Sequence, residues 1–199
     1  MLTEARDNKL KRVAAARQEM TVVLENVHDP HNIGAVLRTC DSVGIQEIYV
    51  LYTDERLTPE RLSHFKVSST GVKKWMHIHY FDDCKSCFEA VNQKYDKILA
   101  THLDKESKSI YETDHIGRIA YVFGNEHEGV SEMALKYCHG NILIPQYGMV
   151  QSLNISVACA VTLYEASRQR IQGGLYSDKL DENDDLRMNY YHHFLDKHK

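Results

Sequence analysis

The sequence predicts an α/β fold, a mostly parallel six-stranded sheet with helices on both faces. Short runs rich in Val, Ile and aromatic residues alternate with longer segments whose apolar residues recur at helical spacing. This alternation is typical of parallel sheets, because parallel strands need a crossover connection that is usually a helix. With 199 residues, the chain is long enough for one domain with a full core and short for two.

The composition indicates a globular protein of the cytoplasm. Hydrophobic residues make up 43% of the chain and charged residues 26%. No apolar run approaches the ~20 residues that cross a bilayer, and the N-terminus has no signal-peptide core, so we expect no membrane association. The five cysteines are odd in number and spread through predicted helices, which argues against a disulfide framework and fits a reducing compartment.

The first third of the chain predicts helix, strand and helix. A helical pattern covers residues 3–17, and a β-rich run follows at 20–24. We expect Asn32 to cap the second helix and Gly44 to end it. The apolar residues of this helix form an inward stripe: Ile33, Val36, Leu37 and Cys40. Arg38 lies off the centre of that stripe, where it faces a site or water.

The remaining elements continue the alternation. Further strands are predicted at 47–52, 75–80, 97–101, 118–124 and 141–144. Further helices are predicted at 59–66, from Asp82 or Asp83 to 95, at 131–137 and at 154–170, with a polar loop at 68–71. Ligands in such sheets bind at the carboxyl ends of strands. Small or polar residues occupy three of these ends: Thr101-His102, Gly124-Asn125-Glu126 and Pro145-Gln146.

The chain divides into three parts. Residues 1–19 form an N-terminal basic helix, residues 20–172 the sheet domain, and residues 173–199 a C-terminal extension. Gly173-Gly174 marks the edge of the domain, and an acidic stretch at 178–185 precedes a final helix at 185–195.

The segment 141–160 is suited to hold a ligand. Its strand runs into Pro145, a tight turn follows at Tyr147-Gly148, and Asn154 opens a helix of small residues. The loop between them can direct backbone N–H groups, Gln151 and the Ser152 hydroxyl into one concavity. The alternative for this segment alone is an ordinary capped connection between a strand and a helix.

Three motifs occur in order along the chain. They are N-x5-R from Asn32 to Arg38, F-G-x-E-x-x-G-V-S at 123–131 and I-P-x-x-G-x-x-x-S-L-N-x-S-V-A at 144–158. Together they resemble motifs one to three of the SPOUT methyltransferases, in the SpoU/TrmH branch that methylates ribose 2′-hydroxyls of RNA. The resemblance covers residues 10–170. It implies a deep C-terminal trefoil knot, S-adenosylmethionine as cofactor, and a homodimer that completes each active site across the partner.

The resemblance also implies site residues. The cofactor wall is expected from Thr101, Leu103, Gly124, Ile144, Met149, Ser152 and Leu153. The catalytic group is expected from Arg38, Asn32, Glu126, Ser152 and Asn154. Because a guanidinium has a pKa above ~12, we expect Arg38 to orient the 2′-hydroxyl and stabilise negative charge rather than remove the proton itself. Glu126 is expected to pair with Arg38 or Asn32, and the alternative for Arg38 is an exposed helix arginine.

The basic first helix and the C-terminal extension are similar to those of branch members that methylate guanosine 18 in the D-loop of tRNA. The resemblance therefore implies tRNA as the substrate. Methylation of the wobble ribose or of ribosomal RNA is the alternative among enzymes. A catalytically inactive RNA-binding module is the alternative outside them, against which the intact site residues argue.

Charge and metal-ligand patterns add two expectations. The net charge is −4, so an RNA-binding surface must be local. The first candidate cluster is Arg6, Lys9, Arg12 and Arg17, and a second contains Lys66, Lys73 and Lys74. The alternative for the first cluster is a solvated helix face. We expect no metal site, because Cys84-x-x-Cys87 falls in a predicted helix and has no second cysteine pair.

Overall fold

A computed structural model describes residues 2–54, 71–150 and 152–198. Four sequence predictions lie outside the described residues: the helix at 59–66, most of the loop at 68–71, the Lys66 member of the second basic cluster, and Gln151.

A parallel sheet of seven strands forms the centre of the described chain. The strands are β1 Met20–Glu25, β2 Glu47–Leu51, β3 His77–Phe81, β4 Lys97–Thr101, β5 Lys108–Ser109, β6 Ile119–Phe123 and β7 Gly140–Leu143. Their order is β3-β2-β1-β6-β4-β7-β5, and every pair of neighbours is parallel. The predicted parallel sheet is confirmed, but the predicted number of strands is wrong. The missed strand is β5, whose two residues pair with Ile142 and Leu143 at the edge and are too few to show a periodicity.

Helices cover both faces of the sheet. They are α1 Glu4–Ala15, α2 Pro30–Ser42, α3 Cys84–Asn92, α4 Glu132–Leu135, α5 Ile155–Gln172 and α6 Asp185–His198. Side chains of α2 and α5 belong to one buried cluster with the strands, and those of α3 and α4 to another. The predicted inward stripe of α2 is buried in the first cluster. The helices α1 and α6 pack on each other through Leu10, Ala14 and Phe194. No described helix combines the length and the apolar character that crossing a membrane requires.

The start of α2 corrects one prediction. Asn32 is not the N-cap, because the helix begins at Pro30 and the Asp29 side chain accepts a hydrogen bond from the His31 backbone N–H at 2.9 Å. Proline fits the first helical position, where its missing N–H costs nothing. Asn32 therefore lies in the first turn, buried, with its side-chain amide available for other contacts. The predicted end of the helix is confirmed, since Gly44 follows the C-cap with φ of +84°.

A buried carboxylate, that of Glu47, joins three segments near the amino-terminal end of the sheet. Glu47 opens β2, and its side chain accepts hydrogen bonds from Lys94 at 2.7 Å and Tyr95 at 2.9 Å, while His79 Nε2 lies 2.9 Å from it. Burial opposes ionisation of Glu47, but the hydrogen bonds from His79 and Lys94 outweigh it and lower the pKa of the carboxyl to about 2.

This pKa predicts how stability depends on pH. Because the folded pKa of Glu47 is about 2 and its ordinary value 4.5, the ionised side chain stabilises the fold above pH 4.5, and this contribution is lost as the pH falls towards 2. Glu47→Gln should lower the free energy of unfolding at neutral pH and flatten its decline across that acidic window. Urea unfolding at several pH values measures both effects. Glu89→Gln, at an exposed position of α3, is the control, and identical profiles for the two variants would contradict the assignment.

Candidate active site

A cavity of about 780 Å³ lies at the carboxyl ends of β4, β6 and β7. Its volume falls within the range of ~300–1,000 Å³ that small-molecule sites occupy. The three strand ends predicted to hold a ligand all contribute to its walls through Thr101, Gly124 and Pro145. The sheet places them side by side because β4 has β6 and β7 as its two neighbours.

Most of the expected cofactor wall lines this cavity. The lining includes Thr101, Leu103, Gly124, Ile144, Ser152 and Leu153. Met149 is not part of the lining, and its side chain is fully exposed. Sequence reasoning missed Ile110, a buried residue that follows β5 and also lines the cavity. The sequence did not indicate Ile110 because β5, which precedes it, is too short to be recognised as a strand.

The loop after β6 forms one wall of the cavity and is closed upon itself. The Gly129 N–H donates to the Asn125 carbonyl at 3.0 Å, and the Asn125 side chain accepts from the Glu128 N–H at 2.7 Å. A Cβ on Gly124 would lie 1.9 Å from the carbonyl carbon and oxygen of Gly129, so only glycine fits there. We call residues 124–130 the closed loop.

A chain of hydrogen bonds joins the three motifs. The Asn32 Nδ2 donates to the Glu126 carboxylate at 2.5 Å, and the Asn154 Nδ2 donates to the Asn32 Oδ1 at 3.0 Å. Asn154 is the N-cap of α5, as predicted, because its Oδ1 accepts from the Ser156 N–H at 2.9 Å. Of the two partners expected for Glu126, the structure selects Asn32. The closed loop, α2 and α5 are thus fixed to one another beside the cavity.

Within one chain, Arg38 does not join the group formed by Asn32, Glu126 and Asn154. It follows Asn32 by six residues, which places it roughly 120° around the helix axis from that side chain. Its side chain is exposed on α2 and does not line the cavity. Asn32, Glu126 and Asn154 are therefore brought together with Ser152 near the cavity, whereas Arg38 faces outward.

The predicted basic cluster is only partly on the surface. Lys9 and Arg12 are exposed on α1, and the Arg6 guanidinium lies 5.6 Å from the centroid of the Trp75 ring. Arg17 is 2% exposed, and its guanidinium donates to the Asp41 carboxylate at 2.7 Å and to the Ile45 carbonyl at 3.1 Å.

The assignment of Arg17 to an exposed RNA-binding surface is therefore wrong. Charge spacing shows that a helix is basic, but the packing of α1 on its neighbours decides which of its charges reach solvent.

The Cys84-x-x-Cys87 pair lies on α3, away from the cavity. Cys84 and Cys87 are buried in the cluster under α3. Across residues 2–54, 71–150 and 152–198, no group of three or more His, Cys, Asp or Glu side chains is arranged to hold a metal ion.

Comparisons with known proteins agree with these motifs. The model of the family described as SpoU rRNA Methylase matches residues 19–164. The tRNA (guanosine(18)-2′-O)-methyltransferase of Thermus thermophilus is 42% identical over 175 residues, which is 87% of this chain and 88% of that protein.

Solved structures give the same fold. The TrmH/SpoU tRNA modifying enzyme of A. aeolicus superposes with a TM-score of 0.79 at 33% identity and covers 97% of this chain and 96% of its own. The SpoU methyltransferase AviRb of Streptomyces viridochromogenes, solved in complex with the cofactor AdoMet, superposes with a TM-score of 0.65 at 25% identity, covering 79% of this chain and 63% of its own.

The closed loop generates a prediction. Gly124→Ala should displace residues 125–129, because the added Cβ would overlap the Gly129 backbone. Amide hydrogen exchange there should quicken about tenfold or more, the change that ~1.4 kcal/mol of lost local stability produces. Gly148→Ala is the matched control, since it lines the same cavity and its Cβ would meet nothing within 4 Å. Equal protection of the loop in both variants would refute the steric argument.

Proposed function

The chain belongs to the SpoU rRNA Methylase family, and on this premise we propose that it transfers a methyl group from S-adenosylmethionine to the 2′-hydroxyl of guanosine 18 in tRNA. The observation that carries the proposal is the hydrogen-bond chain Glu126–Asn32–Asn154, which assembles residues of all three motifs beside a cavity of cofactor size. The relative that acts on guanosine 18 supports the choice of nucleotide through its 42% identity over most of both chains.

The cavity fits S-adenosylmethionine, which supplies an activated methyl group when bound. Ile144 and Leu153 offer an apolar slot for a purine, and the backbone of the strand-end loops offers donors and acceptors. The Thr101 hydroxyl is already engaged, since it donates to the Val122 carbonyl at 3.0 Å, so this residue contributes main-chain groups and shape. The absence of a side chain at Gly124 lets the closed loop fold against its own backbone and so shapes this wall of the cavity.

The residues of the chain act mainly by alignment and charge. In the proposed transfer a bond would form between the ribose 2′-oxygen and the methyl carbon as the carbon–sulfur bond breaks, and the 2′-hydroxyl proton would pass to the adjacent phosphate or to solvent. A collinear arrangement of the reacting atoms is therefore a large part of catalysis. Arg38, which stays protonated, orients the 2′-hydroxyl and the adjacent phosphate and stabilises the developing negative charge. Ser152 lines the cavity, and Glu126, Asn32 and Asn154 hold the surrounding loops in place.

A homodimer reconciles the outward position of Arg38 with this role. The helix α5 carries three exposed apolar side chains at intervals of seven residues: Val157, Tyr164 and Ile171, which are 46%, 57% and 61% exposed. This spacing places them on one side of the helix, and such an apolar stripe is typical of an interface. The Ser42 hydroxyl at the end of α2 lies 3.3 Å from the Tyr164 hydroxyl, so α2 adjoins the stripe. A second copy on this face brings Arg38 of one protomer to the cavity of its partner.

The remaining parts of the proposal concern topology and substrate binding. The deep trefoil knot of the family is proposed for the C-terminal part of the sheet domain, with the domain limits at residues 20 and 172. The packing of α1 on α6 supports treating residues 1–19 and 173–199 as additions to that domain. Lys9 and Arg12, with Arg6 beside Trp75, form the proposed tRNA-binding surface, and Arg17 is excluded from it.

A methylation assay tests the proposed function. Incubation of the protein with labelled S-adenosylmethionine and an unmodified tRNA transcript should label guanosine 18 and no other nucleotide. A transcript with 2′-deoxyguanosine at that position is the matched control and should remain unlabelled, because it lacks the accepting hydroxyl. Labelling of the wobble ribose or of ribosomal RNA instead would show that guanosine 18 is not the target. Cofactor binding without transfer to any RNA would favour the inactive RNA-binding module.

Arg38 generates the mechanistic prediction. Arg38→Ala should lower turnover by ~100-fold or more and leave cofactor affinity near that of the wild type, since other loops hold the cofactor. Arg38→Lys should restore activity only in part, because an ammonium cannot form a bidentate fork. The exposed Arg118, at the opposite end of the sheet, provides the control variant Arg118→Ala.

Mixed dimers test whether Arg38 acts across the interface. Combining Arg38→Ala chains with Ser152→Trp chains, whose cavities are blocked, should recover one working site per heterodimer if Arg38 serves the partner. No recovery would show that Arg38 acts within its own chain, and full activity of the Arg38→Ala homodimer would remove it from catalysis altogether.

The surface on α1 makes a prediction about salt. Reversing Arg6, Lys9 and Arg12 to Glu should weaken tRNA binding and reduce the slope of log affinity against log salt by roughly one unit for each phosphate that is no longer neutralised. Cofactor affinity should not change. Lys85→Glu, Arg118→Glu and Lys136→Glu, at exposed positions outside α1, make the same change of net charge and serve as the control. An unchanged slope would show that the basic residues of α1 contact no phosphates and form only a solvated helix face.

A further inference from the structure

A buried carboxylate lies at the end of β1, beside the closed loop. Glu25 is the last residue of β1 and is 1% exposed. Its carboxylate accepts two hydrogen bonds from one residue, the backbone N–H of Ser131 at 2.9 Å and the Ser131 hydroxyl at 2.5 Å. A carboxylate at such a position is costly unless its acceptors are satisfied, so these two bonds hold Ser131 firmly.

Ser131 terminates the closed loop. It directly follows residues 124–130 and is the N-cap of α4, where its Oγ accepts from the Ala134 N–H at 3.2 Å. The other end of the loop is held by β1 as well, because Leu24 pairs with Phe123 in the sheet. The end of β1 therefore fixes the closed loop where it leaves the sheet and where it enters α4.

The next residue extends this arrangement to a second strand end. Asn26 has φ of +54°, a left-handed conformation that asparagine tolerates better than most side chains. Its Oδ1 accepts from the Thr53 N–H at 2.9 Å and from the Asp54 N–H at 3.2 Å, just after β2. The chain turns sharply at Asn26, so Glu25 can face the closed loop while its neighbour holds the end of β2.

We propose that Glu25 is a positioning residue for the methyl transfer. Through Ser131 it sets the position of the closed loop, and the loop in turn carries Glu126 to Asn32 and forms one wall of the cavity. The inference rests on the proposed function for its effect on turnover. Its effect on the loop itself does not depend on that function.

A second buried carboxylate offers a matched control. Glu47 is also buried and accepts several hydrogen bonds, but it opens β2 and its partners lie on β3 and just before β4. Neither Glu47 nor those partners line the cavity. If Glu25 only stabilised the fold, neutralising either carboxylate would have the same kind of consequence.

The experiment compares Glu25→Gln with Glu47→Gln. In Glu25→Gln the charge is removed and one oxygen becomes an NH₂ donor, with little change in shape. The two charge-assisted hydrogen bonds are then replaced by weaker neutral ones, and the Ser131 hydroxyl must turn from donor to acceptor to keep its contact. Amide exchange of residues 125–130 should quicken ~10-fold, and turnover should fall by a similar factor. Glu47→Gln should lower the Tm but leave both the exchange of these residues and the turnover at wild-type values. Ser131→Ala keeps the backbone bond to Glu25 but removes both the hydroxyl bond to Glu25 and the N-cap bond to the Ala134 N–H, so it should also quicken the exchange of residues 125–130.

The outcomes separate the possibilities. Unchanged exchange of residues 125–130 in folded Glu25→Gln would overturn the proposal, as would equal effects of the two Gln variants on exchange and turnover. If Glu25→Gln does not fold, Ser131→Ala decides, and wild-type loop exchange in that variant would overturn the proposal. If the wild-type protein transfers no methyl group, the proposed function fails, and the exchange measurement still judges whether Glu25 positions the loop.

Discussion

The arrangement of the site depends on one side-chain amide, that of Asn32. It donates to the Glu126 carboxylate and accepts from Asn154, residues that are 94 and 122 positions further along the chain. Of the short polar side chains, only an amide combines a planar NH₂ donor with a carbonyl acceptor, so aspartate could not donate here and leucine could do neither. Because the amide is buried, each of these bonds contributes more than it would in water. The three motifs converge on this point.

The fold supplies the conditions for that convergence. Asp29 and Pro30 start α2 early enough to put Asn32 in its first turn, facing the closed loop instead of solvent. The strand order then places β6 between β1 and β4, with β7 beyond, so that four carboxyl ends meet at one edge of the sheet. The cavity is therefore built from loops that are distant in sequence and supported by strands that are adjacent in space. Because the loops carry the cavity and the strands support the loops, a ligand can be held on a rigid scaffold.

Much of this could be predicted from the sequence, and the exceptions have physical causes. Strands such as β4 and β6 are recognisable because they are buried on both faces and carry continuous apolar runs. The N-cap prediction for α2 is wrong because Asp-Pro, a stronger start signal, lies in a polar stretch that is also typical of a loop. Arg17 is misassigned because its pairing with Asp41 depends on tertiary packing. The site residues are found through motif resemblance. Glu25 was not predicted because nothing local marks a buried carboxylate at the end of a strand. Ser131 belongs to the second motif, but the sequence does not show that Glu25 is its partner.

The strand order also determines how the chain can fold while it is being synthesised. β1 lies between β2, which follows it closely, and β6, which is made about a hundred residues later in register with it, Met20 opposite Ile119. Until β6 leaves the ribosome, one edge of β1, a mostly apolar strand that is buried in the finished sheet, carries unpaired N–H and C=O groups. Such an edge is a template for wrong pairing. The order of the strands thus sets an interval during synthesis in which this edge of β1 has no native partner.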